Sequence, residues 1–329
     1  MTGRLVILAP NWLGDAVMSL PAIENVRRGL PEAAIDMAAR PAVAPLFTLY
    51  PRGRFERIVV LGDRSSAVRA LAEGHYDAAL LLPNSFNAAR LVRAAGIRER
   101  WGYRADFRSL LLTRPVLVPV RLHQVDYYRH LVEALGFAGE ARAPQLEVTL
   151  EQRAEAAAFL AAAGWNQRAP LVAMAPGAAF GTAKRWPAAS FASLADRLAD
   201  DGVRTVLIGT ASDRPAGAEL LAASRSAQAI DLMGRTDLPM LAAALTHCRA
   251  LVTNDSGAMH MAAALGVNIT ALIGPTRERE THPVGAGRHV VLTNPVWCRP
   301  CMLRECPLTH RCMTGITVDA AHAATRPLV

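Results

Sequence analysis

Short apolar runs alternate with longer amphipathic ones along nearly the whole chain. Leu5–Ala9, Ile35–Ala38, Arg57–Leu61 and Asp77–Leu82 read as short buried strands, and stretches such as Ala16–Gly29 and Ser66–Gly74 carry helical spacing between them. The alternation resumes with Leu171–Ala175, Arg204–Gly209, Ala250–Asn254 and Ile269–Gly274 as strands. Pro187–Asp201, Ala216–Ser224, Leu238–His247 and Ser256–Leu265 are the helices of this second block. Strands separated by helices of about 10–15 residues predict βαβ units and parallel sheets. Right-handed crossovers then give doubly wound layers, with ligands at the carboxyl ends of the strands. A helix-like run ends at Gly164, and polar residues and Pro170 follow it. The expected fold is therefore α/β, two doubly wound domains, 1–165 and 166–329, facing each other across a cleft.

A length of 329 residues is enough for each domain to bury its own core. With 52% hydrophobic and 19% charged residues, the composition excludes a disordered chain. No apolar run reaches the roughly 18–20 residues that cross a bilayer. The N-terminal stretch Arg4–Pro10 is short for a signal sequence and turns polar at Asn11, so it reads as a first strand, and a cytoplasmic location is expected.

The formal net charge of +8 points to an anionic partner: nucleic acid, a phosphorylated sugar or a membrane surface. Between Arg52 and Arg108 there are eleven Arg against six acidic residues. Most such charge is a solvated face, and the remainder is available to hold an acidic substrate. Lys184 is the only lysine among 36 basic residues, and it lies in a loop with Gly and Thr. An ammonium is a compact charge with three donors, whereas a guanidinium is a planar fork, so a site shaped for one phosphate oxygen distinguishes them.

Candidate chemistry falls where the strands end. Pro10-Asn11-Trp12-Leu13-Gly14-Asp15 follows the first strand and is not the Gly-x-Gly-x-x-Gly dinucleotide fingerprint. Gly14 permits close backbone approach, and Asp15 is either a general base for a hydroxyl or a helix cap. In the second block, the small-residue loop Pro176–Pro187 contains Gly177, Thr182 and Lys184 and opens a helix, a pattern that offers backbone amides to phosphate. It lacks the Gly-Lys-Ser/Thr order of a P-loop. Asn254-Asp255-Ser256-Gly257-Ala258-Met259-His260 starts another helix, with Ser256 at the cap and His260 on the same face. Gly274-Pro275-Thr276 ends the next strand as a third loop on that rim.

These segments resemble the ADP-heptose:lipopolysaccharide heptosyltransferases, bacterial glycosyltransferases of family nine with the GT-B fold of two Rossmann-like domains. The likeness runs from Leu5 to Thr276 and rests on Gly14-Asp15, Ala183–Pro187 and Asn254–Gly257 with His260. Pro83–Phe86 and Arg100–Arg104 are similar to the second enzyme of that series. The resemblance implies an N-terminal acceptor-binding domain and a C-terminal nucleotide-sugar-binding domain. It implies inverting transfer from ADP-L-glycero-D-manno-heptose to the heptosylated inner core of lipopolysaccharide, with no cofactor required. Asp15 would be the base and Lys184 the phosphate contact. Gly14, Gly177, Thr182, Thr210, Asp255, Ser256, Gly257 and His260 would line the donor site, and Asn11, Asn84, Ser85, Arg100 and Arg104 the acceptor site. A peripheral contact with the inner membrane would follow from such an acceptor. The first heptosyltransferase, or another core-sugar transferase, is an alternative on the same scaffold. A metal-stabilised nucleic-acid binder is a remote one, since only 5% of the residues are Phe, Trp or Tyr and no nucleic-acid motif is present.

Cys298, Cys301, Cys306 and Cys312 follow the spacing C-x2-C-x4-C-x5-C, with His310 inside it. They are candidates for a structural Zn site, with ordinary reduced thiols as the alternative. An iron–sulfur cluster is possible from ligand count but has no redox role here, and a reducing cytoplasm disfavours disulfides. Cys248 is expected in the core.

Overall fold

The computed structural model describes residues 3–225 and 229–329. The chain forms two compact units, Met1–Pro144 and Gln145–Val329. Each contains a six-stranded sheet whose strand pairs are all parallel.

The first sheet consists of β1 (Arg4–Leu8), β2 (Ala34–Ala39), β3 (Ile58–Val60), β4 (Ala78–Leu81), β5 (Glu99–Tyr103) and β6 (Arg114–Val116), in the order β3-β2-β1-β4-β5-β6. The second consists of β7 (Leu171–Ala175), β8 (Arg204–Leu207), β9 (Ile230–Asp231), β10 (Cys248–Asn254), β11 (Asn268–Leu272) and β12 (His289–Leu292), in the order β12-β11-β10-β7-β8-β9. The two orders are the same doubly wound pattern. In each sheet the order reverses between two central strands, β1 and β4 in the first and β7 and β10 in the second. Helices on both faces bury these strands, so β4 and β7 are apolar without alternation and all their residues are buried.

All eight strands expected from the alternation form, with ends shifted by a few residues. The chain adds β5, β6, β9 and β12, which are shorter or more polar. The expected helix Ala16–Gly29 is in fact two, Leu13–Met18 and Leu20–Gly29. Pro21 lacks the N–H that would continue the first helix, and Ser19 fills the break by bonding its hydroxyl to the Ala16 carbonyl at 2.8 Å. The division between units also falls earlier than the expected 165/166. The helix Leu150–Ala162 belongs to the second unit, where the Arg153 carbonyl meets His247 Nε2 at 2.9 Å and Arg235 lies over the Phe159 ring.

One buried cation organises the carboxyl edge of the first sheet. Arg108 donates from Nε to the Tyr103 carbonyl at 2.8 Å, from Nη1 to the Pro83 carbonyl and from Nη2 to Asn84 Oδ1 at 3.4 Å. It thereby ties the exit of β5 to the exit of β4. Burial lowers its pKa to about 10, which still leaves the guanidinium charged at neutral pH. Replacing Arg108 with Leu strands two carbonyls in an apolar setting. The expected loss is roughly 2–4 kcal/mol of stability, from the cost of unsatisfied buried acceptors. Urea unfolding of the variant measures it, and an unchanged midpoint would remove Arg108 from this role.

Candidate active site

The second sheet reverses between β7 and β10, and a doubly wound sheet takes its ligand in the crevice at such a point. The loop leaving β7 brings Lys184 there on a short turn, Thr182–Lys184, and the chain leaving β10 brings Asp255. Lys184 Nζ donates to Asp255 Oδ2 at 2.7 Å, and Thr276 Oγ1, from beyond β11, donates to the same oxygen at 2.7 Å. Asp255 is buried and Lys184 half-buried, so the ammonium is fixed by a desolvated carboxylate rather than left on a mobile stem. Its outer side lies 4.9 Å from the centre of the Phe180 ring, and the Arg304 guanidinium lies 5.2 Å from that ring.

The loop around Lys184 is held by backbone contacts that only certain residues allow. The buried Asn254 donates from Nδ2 to the carbonyls of Pro176 and Gly177 at 2.9 and 3.2 Å and accepts from the Trp186 amide at 3.0 Å. At Gly177 a Cβ would run into the Asp213 carboxylate. At Gly181, with φ +157°, it would run into the Arg304 carbonyl. Asp213 Oδ2 in turn accepts from the Thr210 amide at 2.9 Å and hydroxyl at 2.7 Å, which seats Thr210 on the same rim. Ser256 caps the helix Gly257–Ala264 without a side-chain bond to its amides; its hydroxyl is 3.0 Å from Thr253 Oγ1. The first-turn amides thus face the rim without that side chain in the way, a setting that favours an anion. His260 is buried one turn along this helix. Gly177, Thr182, Lys184, Thr210, Asp255, Ser256, Gly257 and His260 all come from the loops and helix starts at this carboxyl edge.

On the first sheet, Asp15 lies beyond β1 in the first turn of Leu13–Met18, next to the buried Gly14. The cap position falls to Trp12, so Asp15 is not the capping residue. Its charge contributes to raising the pKa values of Tyr127 and Tyr128, although burial is the larger cause for both. Asn11 and Ser85 line a cavity of about 220 Å³ at the exits of β1, β3 and β4, together with Arg40, Arg64 and Arg90. Ser85 also caps the helix Phe86–Ala94. Asn84 faces elsewhere, donating to the Tyr127 hydroxyl at 2.6 Å. Arg104 is exposed just beyond β5. Arg100 is not brought to this edge: it sits near the start of β5, and its guanidinium is spent on the carbonyls of Leu111, Ile97 and Arg98 at 2.6–2.7 Å.

The model of glycosyltransferase family 9 (heptosyltransferase) matches residues 64–311. The chain belongs to this family. It is 34% identical over 316 residues to lipopolysaccharide heptosyltransferase 2 of Salmonella typhimurium, covering 88% of this chain and 87% of that protein. The Escherichia coli protein of the same name is 32% identical over 311 residues, covering 88% and 87%. A lipopolysaccharide heptosyltransferase 1, from Pseudomonas aeruginosa, is 26% identical over 92% of this chain and 87% of its own length. The solved structure of E. coli ADP-heptose lps heptosyltransferase II superposes with a TM-score of 0.86 at 30% identity, covering 99% of this chain and 98% of that one. The GT-B fold expected from the sequence is thereby shown.

A zinc site at the four cysteines, the first of the two readings of their spacing, is not supported. The four cysteines and His310 line one cavity, but among the described residues no group of three or more His, Cys, Asp or Glu is placed to hold a metal ion. The reason is visible in what the side chains do instead. His310 Nε2 donates to the Ala183 carbonyl at 2.6 Å, and Cys312 is buried with Met313 beneath Gly274. Burial, followed by the neighbouring Cys306, Cys298 and Cys301, raises the Cys312 thiol pKa. This segment braces the Lys184 loop: the Arg304 carbonyl accepts from the Ala183 amide at 3.0 Å. Cys248 lies in the core as expected, with its thiol pushed up to about 12 by burial.

Sequence reasoning missed Asn254 as a clamp and Asp213, Phe180 and Arg304 as neighbours of the site. It also missed Arg40, Arg64 and Arg90 as one group. Asn254 stood at the head of a chosen motif without a role of its own, and the arginines were visible only as a general basic excess. The Lys184–Asp255 pair has a direct test in stability. Lys184→Met leaves a buried carboxylate uncompensated and is expected to cost about 2–4 kcal/mol, below the range for fully buried pairs because Lys184 is partly exposed. Lys184→Met combined with Asp255→Asn is expected to recover most of that loss. Equal losses in the single and double variants, measured by urea unfolding, would show that the two groups do not depend on each other.

Proposed function

We propose that this chain is an inverting glycosyltransferase that moves heptose from ADP-L-glycero-D-manno-heptose to the heptosylated inner core of lipopolysaccharide. It works in the cytoplasm, in peripheral contact with the inner membrane that carries the acceptor, and nucleic acid has no part in the reaction. The observation that carries the reading is the Lys184 ammonium held by Asp255 at the reversal point of a nucleotide-type sheet. The name of the Salmonella relative supports the choice of the second heptosyltransferase, and the lower identity to heptosyltransferase 1 supports it further.

Each unit contributes one half of the chemistry. From the first, Asp15 accepts the proton of the attacking acceptor hydroxyl, whose oxygen bonds to the anomeric carbon. From the second, Lys184 and the amides at the start of Gly257–Ala264 receive the charge that builds as the bond from that carbon to the diphosphate oxygen breaks. A single displacement inverts the anomeric configuration and releases ADP. Thr182, Thr210 and His260 sit around the same rim and complete the donor subsite. The cavity beside Asn11 and Ser85, with its three arginines, suits the anionic inner core. Arg104 lies on the same edge, whereas the carbonyl bonds of Arg100 fit a structural role.

Incubation with ADP-heptose and a lipopolysaccharide truncated after its first heptose is expected to add one heptosyl residue to the acceptor, read by mass. Asp15→Asn should retain fold and ADP binding while turnover falls on the order of 10²–10⁴-fold. No mass gain with the wild-type protein would overturn the assignment, and near-normal turnover in the variant would remove Asp15 as the base.

A further inference from the structure

The chain leaving β5 and the chain leaving β6 expose side chains that a water-facing surface does not need. Phe107 is 98% exposed, Leu110 94%, Val120 80% and Leu117 70%. Isolated exposed apolar residues are ordinary, but four this large within fifteen residues are not. β5 and β6 are adjacent and parallel, so both exits leave the same corner of the first sheet, and the Arg104 amide joins them by bonding to the Val116 carbonyl at 2.7 Å. β6 is the edge strand, so among the described residues no further strand pairs with it.

The charge there has one dominant sign. Exposed Arg104 and Arg121 flank the apolar side chains, and Asp106 is the only acidic residue between positions 104 and 121. Arg114, at the start of β6, is turned to the Leu135 carbonyl at 3.1 Å and the Trp101 ring and takes no part. Apolar side chains of this size, flanked by cations, match the boundary between headgroups and acyl chains of an anionic leaflet. No helix among the described residues is long and apolar enough to cross a membrane, so contact here would be confined to the interface.

We infer that this corner is the membrane-docking surface, seating the first unit on an anionic phospholipid bilayer. The inference rests on the proposed lipid-linked acceptor, because all strands of the sheet are parallel and the corner therefore lies on the same carboxyl edge as Asp15 and the arginine-lined cavity. Docking there brings a membrane-anchored sugar chain to the edge that receives it.

The test combines Phe107→Ser, Leu110→Ser, Leu117→Ser and Val120→Ser in the full chain. None of these side chains is buried, and none belongs to the proposed chemistry, so the variant should fold with an unchanged melting temperature. The wild-type protein is expected to co-sediment with vesicles of phosphatidylglycerol and phosphatidylethanolamine but not with phosphatidylcholine alone, and less as salt is raised. The variant's partitioning should fall by about tenfold or more. On an O-deacylated, water-soluble acceptor the two proteins should turn over equally. Product from the soluble acceptor with identical vesicle binding by both proteins would overturn the docking surface and leave the proposed function standing. Vesicle binding lost in the variant, with no product from the wild type, would support the surface and overturn the function. A concentration-dependent dimer abolished in the variant, with no vesicle binding by the wild type, would make the corner a contact between two copies and overturn the inference.

Discussion

A single ammonium held by a buried carboxylate is the constraint around which the second unit is arranged. A lysine on a loop ordinarily spends its time in water, where its charge is worth little to any one partner. Here Lys184 and Thr276 both donate to one oxygen of the Asp255 carboxylate, which fixes the direction in which the ammonium points. Asn254 fixes the backbone on both sides of the loop, and the segment bearing His310 and Arg304 fixes its outer surface. The sheet itself only supplies the place, because strands β7 and β10 are neighbours from which the chain departs in opposite directions. Preorganisation of this kind matters most for charge that develops late, as on a departing diphosphate.

The second sheet was more legible in the sequence than its site. Central strands such as Leu171–Ala175 and Ala250–Asn254 are buried on both faces, so their composition alone marks them. Strands at or near the edges carry weaker signals: β5 contains Glu99 and Arg100, β6 contains Arg114 and Pro115, and β9 is only two residues long. Lys184 and Asp255 were each singled out, one by its rarity and one by its motif. Their pairing was not, since 71 residues separate them and only the parallel register of β7 and β10 brings them together. Arg100 went the other way: it stood in a motif, but its place at the start of β5 turns it towards backbone carbonyls.

The cysteines show why spacing is an incomplete guide to a metal site. Four thiols within fifteen residues satisfy a ligand count, yet a tetrahedral site also needs the side chains to converge. Cys312 is instead drawn beneath Gly274 and His310 is turned to Ala183, so the segment acts as a brace for the loop next to it. The first unit has a parallel division of labour. The buried Arg108 is a fastener between β4 and β5, whereas Arg40, Arg64 and Arg90 keep contact with the open cavity. Burial separates the two uses of arginine in a chain that uses almost no lysine.

The central claim is that Lys184 acts on the donor's diphosphate, and a ligand-by-residue comparison tests it most directly. Calorimetric titration with ADP and with AMP, on the wild-type protein and on Lys184→Met, separates the terminal phosphate from the rest of the nucleotide. The account predicts that removing this phosphate weakens binding by about tenfold or more in the wild type, as for a charge-assisted contact, and far less in the variant. The same ADP-to-AMP ratio in both proteins would contradict it.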